Sequence, residues 1–158
     1  MKRADRKIVR VDEDVPPLDD VLAFMRLMWA VDHALQRTSK RMKATLGVTG
    51  PQRLVVRIVG KFPGLSATQL AGFLYIHPST LTGVLKRLER QGLIRCRPDP
   101  RDRRRRLLGL TARGRLVDSQ MNGTVEAAVR ATMHTLRAAE FDAARKVLET
   151  IVKRLEAS

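Results

Sequence analysis

From Lys86 to Arg106 the chain packs ten Lys/Arg against three acids, Glu89, Asp99 and Asp102. That is a net of +7 within 21 residues and nearly half of the formal net charge of +15. Cations at that density neutralise a polyanion. A helix followed by a basic ribbon suits double-stranded DNA, the helix entering the major groove while the ribbon reaches to backbone or minor groove. Just ahead of the cations lie Pro78, Ser79, Thr80, Thr82 and Gly83. Threonine is a poor choice for a helix interior, so Thr80 and Thr82 at the front of a helix point to exposed service, hydroxyls toward phosphate or base edges and methyls toward thymine. Lys86, Arg87, Arg101, Arg103 and Arg104 all suit contact with phosphates or a groove. The plainer alternatives are a solvated charged turn for the arginines and a helix cap for Ser79. No Asn, Gln or Arg stands at 79–83, so bidentate base readout is sparse.

These residues need a scaffold, and the sequence predicts mostly α structure with a small β-hairpin wing. The basic helix runs from Pro78 to Gln91 and stops at Gly92. Leu93–Arg97 and Arg105–Leu110 form the strands of the hairpin, with Pro98–Arg104 as its tip. Ahead of the basic helix, Ser66 and Gln69 have capping-box spacing and open a short helix through Leu70, Ala71, Phe73 and Leu74, which turns at Tyr75-Ile76-His77. Two short helices joined in this way, the second basic, make a helix-turn-helix. Thr49-Gly50-Pro51 opens an earlier helix, Gln52–Val59, with Leu54, Val55, Ile58 and Val59 inward and Gly60 closing it.

Long amphipathic segments flank this module. Leu18, Val21, Leu22, Met25, Met28, Trp29, Leu35, Met42 and Leu46 recur at helical spacing, with Asp19 and Asp20 in the first turn and cations toward the end. From Thr111-Ala112-Arg113-Gly114 a long helix runs through Leu116, Met121, Val125, Val129, Met133 and Leu136, breaking near Ala138-Ala139-Glu140. Phe141 to Leu155 forms the last helix. Residues 18–47 and 112–156 are therefore expected to be helical dimerisation regions around a winged helix-turn-helix at 48–111. Their apolar stripes exceed one subunit's needs, and a second copy would cover them. Residues 1–17 read as a flexible charged arm ending in Pro16-Pro17.

A chain of 158 residues with 44% apolar content can bury a core, and its sequence pI of about 11.4 points to a polyanionic partner. Membrane is the competing polyanion. No apolar run approaches the roughly 18 to 20 residues needed to span it, and Met1–Arg10 lacks the apolar core of a secretory signal. A single cysteine leaves no intramolecular disulfide or thiol-based zinc site. These features fit a cytoplasmic protein.

The layout, with Pro78-Ser79-Thr80-Leu81-Thr82, Leu85-Lys86-Arg87-Leu88-Glu89, Gly92-Leu93-Ile94 and Asp99-Pro100-Arg101-Asp102-Arg103-Arg104, resembles the MarR family of bacterial transcription regulators. The resemblance covers roughly residues 18 to 156 and is sharpest in the wing, where Asp102-x-Arg104 precedes an apolar strand, Leu110-Thr111 and Gly114. It implies a homodimer that binds palindromic operators, usually as a repressor, often released by a small phenolic or other ligand or by oxidation. It also implies that Arg104 enters the minor groove with Asp102 as its ion-pair partner. Arg105 and Arg106 depart from the small or apolar residues commoner there. The family's oxidation-sensing members carry their cysteine near the first helix, where this chain has none.

Other residues admit two readings. Met25, Met28, Trp29 and His33 on the first helix are either dimer and core packing or one wall of a ligand pocket. Cys96 lies between Arg95 and Arg97, which favour a thiolate, but its strand position suits a core-facing apolar residue. His33, His77 and His134 are scattered, no acid cluster has metal-ligand spacing, and no catalytic triad or phosphate-binding loop occurs. No catalytic residue, metal or cofactor is expected. Beside a sequence-specific regulator stands a sequence-indifferent architectural DNA binder, favoured by excess arginine and sparse base readers. A third possibility is an RNA-binding or protein-interaction winged helix, against which the lack of exposed aromatics for base stacking counts.

Overall fold

Capping decides where most of the helices begin. The computed structural model describes residues 17–102 and 105–157 and orders them as α1 (Asp20–Leu46), α2 (Gly50–Lys61), α3 (Ala67–Phe73), α4 (Pro78–Arg90), β1 (Ile94–Pro98), β2 (Arg106–Leu110), α5 (Ala112–Ser119), α6 (Val125–Met133) and α7 (Ala138–Glu156). The charged arm lies outside these residues except for Pro17. Thr49 and Ser66 each close a reciprocal capping box, with Gln52 and Gln69. Asp19 is a cap rather than a first-turn residue, its carboxylate accepting from the Leu22 N–H at 2.8 Å.

The chain divides into two units, residues 1–34 and 35–158. The described part of the first is chiefly the N-terminal part of α1, whose apolar residues are exposed. The second holds the core, where α2, α3, α4 and the hairpin bury Val55, Val56, Val59, Leu70, Leu81, Leu88, Ile94 and Leu108 among others. Fully burying each such side chain contributes about 1.5–3 kcal/mol. β1 and β2 pair antiparallel with Ile94 opposite Leu110 and Cys96 opposite Leu108. An isolated bridge, Ser66 to Leu107, ties the tip-side end of β2 to the start of α3.

Four expectations need correction. Helix α2 passes through Gly60 to Lys61. A Cβ on Gly60 would stand 2.8 Å from the Asp118 carboxylate and 3.0 Å from Leu110, so this glycine permits close packing rather than ending a helix. Leu54 is 52% exposed and Val56 is fully buried in its place, because the inward stripe of α2 is shifted by the two polar residues it also buries, Gln52 and Arg53. The helix expected from residue 112 through Leu136 is interrupted at Gln120–Thr124, where Gly123 takes φ 72° and Thr124 caps α6. The residues expected to break it, Ala138 to Glu140, form the first turn of α7. Arg137 stands before them, its N–H donating to the Glu140 carboxylate at 2.9 Å.

Candidate nucleic-acid interface

Leu81, Leu85 and Leu88 form the buried stripe of α4, which turns Ser79, Thr80, Thr82, Lys86 and Arg87 outward. The turn that presents this helix is a Schellman-type close to α3: the Ile76 N–H donates to the Ala71 carbonyl at 3.2 Å and the Tyr75 N–H to Gly72 at 3.3 Å. Tyr75 occupies the left-handed position at φ 51°, where glycine is the usual residue and a side chain carries strain.

The cap of α4 is His77, not Ser79. The His77 Nδ1 accepts from the Ser79 N–H at 3.3 Å and lies 2.8 Å from the Ser79 Oγ. A cap by its own side chain was the plainer reading of Ser79. The structure instead leaves its hydroxyl exposed beside the histidine. The Thr82 hydroxyl donates to the Pro78 carbonyl at 2.9 Å, so its proton is engaged while the residue stays exposed. Gly83 has nothing within 4 Å of where a Cβ would be, so the protein's own packing does not require glycine there.

The hairpin presents Arg95, Arg97 and Arg106 exposed, while Ile94, Leu108 and Leu110 are buried beneath. Asp99 organises the tip. Counted in the sequence only as a negative charge, it is buried, its carboxylate accepting from the Arg101 N–H at 2.9 Å and its own N–H donating to the Arg105 carbonyl. The Arg105 N–H in turn donates to the Asp102 carbonyl at 2.9 Å. Arg101 and Asp102 are exposed at this tip. Arg103 and Arg104 fall outside the described residues, as does the expected Asp102–Arg104 pair.

Where α4 ends, Gly92 takes φ 67°, and the Thr111 hydroxyl donates to its carbonyl at 2.6 Å. A Cβ on Gly114 would fall 2.0 Å from the Leu93 carbonyl oxygen, so the entry of α5 against the hairpin root requires glycine. Lys43, Arg87, Arg90, Thr49, Gln52 and Gln91 line an open recess of about 280 Å³ beside this end of α4, adding cations to the same module.

Cys96 is half-buried against the core, and burial, reinforced by Glu89, pushes its thiol above the ordinary range despite Arg106. That agrees with its core-facing reading. Met25, Met28, Trp29 and His33 all lie exposed on α1, Trp29 by 78%. The expectation of no exposed aromatics fails, since Phe62 and Phe73 stack at 5.6 Å on the surface and Tyr75 is exposed beside α4. The stacked pair occupies one face of each ring.

Sequence reasoning missed Arg53, which is 2% exposed. Its guanidinium donates to the carbonyls of Val117 and Gln120, to that of Asp118 at 3.4 Å, and pairs with Glu126 at 3.4 Å. Arg57 pairs with Asp118 at 2.7 Å and Glu126 at 3.0 Å. Arg53 stands immediately before an apolar run, Leu54-Val55-Val56, and only the distant carbonyls reveal why a charge belongs there.

This arrangement has close relatives. A profile of the MarR family matches residues 48–105. The chain is 34% identical over 110 residues to the transcriptional regulator TtmR of Methylorubrum extorquens, covering 70% of this chain and 55% of that one. It is 32% identical over 100 residues to the organic hydroperoxide resistance transcriptional regulator of Bacillus subtilis, covering 63% and 67%. The matched stretch thus spans about half of the first relative and two thirds of the second. Among solved structures, S. aureus MepR in its DNA complex superposes with a TM-score of 0.69 at 20% identity, over 84% of this chain and 97% of that one. The fold agrees along nearly the whole neighbour and the sequence agrees across the winged module, so this chain belongs to the MarR family.

Proposed function

We propose that the protein is a dimeric, sequence-specific DNA-binding transcription regulator, acting in the cytoplasm as a repressor that a small-molecule ligand relieves, and not as an enzyme. The observation that carries this is α4: its buried leucine stripe turns hydroxyls, Lys86 and Arg87 outward, next to a hairpin whose exposed face is arginine.

On DNA the front of α4 lies in the major groove, where Thr80 and Thr82 meet thymine methyls and Ser79 a phosphate or base edge. Lys86, Arg87, Arg101 and Arg103 neutralise flanking phosphates and supply most of the affinity. Arg104 enters the adjacent minor groove and responds to its width, favouring A·T pairs without touching bases. Apolar residues left exposed on α1 and α7 are covered by the second copy, which places two α4 helices on one face of the duplex. Covered in this way, Met25, Met28, Trp29 and His33 form a wall of the effector pocket. No helix among the described residues is long and apolar enough to cross a membrane.

Footprinting on the native promoter, followed by selection from random duplexes, tests the reading. The expected product is a palindrome with half-sites roughly 10 base pairs apart, centre to centre. The absence of bidentate readers at 79–83 favours a second reading, an architectural binder without operator preference, and recovery of no enriched palindrome would establish it in place of the first.

A further inference from the structure

The winged module contains a buried charge that DNA contact does not use. Helices end with carbonyls lacking intrahelical donors, and α5 ends at Ser119 with those of Val117, Asp118 and Gln120 near the Arg53 guanidinium. A side chain on α2 therefore caps a helix more than sixty residues away. The same guanidinium pairs with Glu126 in the first turn of α6, and Arg57, one turn along α2, grips Asp118 and Glu126 together. Between the two gripped helices, Gly123 takes φ 72°, and the Thr124 hydroxyl donates to the Met121 carbonyl at 2.7 Å. The corner at 120–124 is thus held from both sides by one helix of the DNA-binding core.

We propose that Arg53 and Arg57 are positioning residues for DNA recognition: they fix the direction in which α6 and α7 leave the winged module, and so set the spacing at which a dimer accepts its two half-sites. A hydrophobic side chain at 53 would fill the same core volume but take the guanidinium from the Gln120 carbonyl, leaving the end of α5 with only the Gln120 N–H on Val117 and Arg57 on Asp118. The corner could then turn in more than one direction. Two half-sites are engaged together only if the geometry allows it, so a loosened corner costs spacing preference before it costs contact with one half-site. This inference rests on the dimeric regulator reading above.

The test compares full-length wild type, Arg53→Met, Arg53→Lys and Glu126→Gln. Three quantities are measured: thermal unfolding, affinity for a duplex carrying one selected half-site, and enrichment from duplexes whose two inverted half-sites are separated by spacers of varied length. Wild type should prefer one spacer by about tenfold or more, and Arg53→Met should reduce that to within about twofold while single-half-site affinity holds within about twofold. Arg53→Lys keeps the charge without the fork and should fall between. Glu126→Gln removes a carboxylate shared by both arginines without touching the core, so it decides the matter should Arg53→Met not fold. A folded Arg53→Met or Glu126→Gln protein with wild-type spacer preference would overturn the proposal. A wild type indifferent to spacing would overturn the dimeric reading first, and this proposal with it.

Discussion

The winged module and the C-terminal helices are built from similarly apolar sequence, yet only one of them encloses it. Helix α2 has five buried residues and α4 three, whereas α6 and α7 have none. Val129, Met133, Val147, Leu148 and Leu155 all stand exposed. In the winged module the periodicities of three short helices and a hairpin converge on one interior. In α6 and α7 the stripe exists but the chain itself supplies no cover. The difference teaches that this molecule's stability is local and its assembly external. The candidate DNA-reading surface rests on that enclosed core through the buried leucines of α4.

The sharpest way to break that comparison is to exchange the damage. Leu88 is fully buried and Leu148 is 55% exposed. Leu88→Ala should cost about 2–5 kcal/mol and lower the thermal midpoint, because it leaves a cavity in the buried core under α4. Leu148→Ala, studied where the protein is monomeric, should change stability by no more than about 0.5 kcal/mol. Equal losses at the two positions in thermal unfolding would mean that α7 belongs to the intramolecular core after all.

Next in size is the loss of assembly. Leu148→Asp with Ile151→Asp should leave the winged module folded while placing charge on the apolar face of α7. Sedimentation should then report a monomer where the wild type is a dimer at micromolar concentration. Operator affinity should drop about a hundredfold, since the second half-site no longer binds as part of the same event. A double variant that still sediments as a dimer would put the interface elsewhere.

What was legible in the sequence follows the same division. The opening of α2 at Thr49, the capping box at Ser66, the basic amphipathic helix α4 with its stop at Gly92 and the hairpin were readable because each is set by residues within a few positions of one another. The failures are non-local. Gly60 looked like a helix stop and is a packing glycine because Asp118 approaches it from α5. The long helix after 112 looked continuous because its apolar spacing is, and the break rests on Gly123 together with a cap contributed by Arg53. At the candidate site the exposed hydroxyls and cations were evident from type and spacing. The closure of the tip by Asp99 and the cap by His77 were not, since a charge count ignores which acid is buried and Ser79 is the commoner capping type.

A smaller effect separates charge from shape in the winged module. Each dimer offers two copies of the 86–106 cluster, so log affinity against log salt should fall with a slope of about −5 or steeper, each neutralised phosphate contributing about −0.9. The double variant at 148 and 151, binding as a monomer, should show roughly half that slope on the same duplex. A slope near zero for wild type would remove phosphate neutralisation as the source of affinity.

The smallest effect expected is at Cys96. One relative is named for resistance to organic hydroperoxides, and a cysteine between two arginines invites the same idea for this chain. The geometry opposes it. Cys96 packs against the core opposite Leu108, and burial together with Glu89 raises its thiol above the usual range, outweighing the cationic influence of Arg106. With the pKa raised, the thiolate is scarce at neutral pH and gains population only as the solution is made more alkaline than an ordinary thiol requires. Peroxide and alkylating reagents, which react with the thiolate, should therefore act slowly. Cys96→Ser should change operator affinity by no more than about twofold, and peroxide treatment at neutral pH should release no more DNA from wild type than from that variant. The decisive measurement is the rate of alkylation against pH. A rate that is already at its plateau at pH 7 would mean a stabilised thiolate, and the β1 strand would then carry a redox switch that its burial argues against.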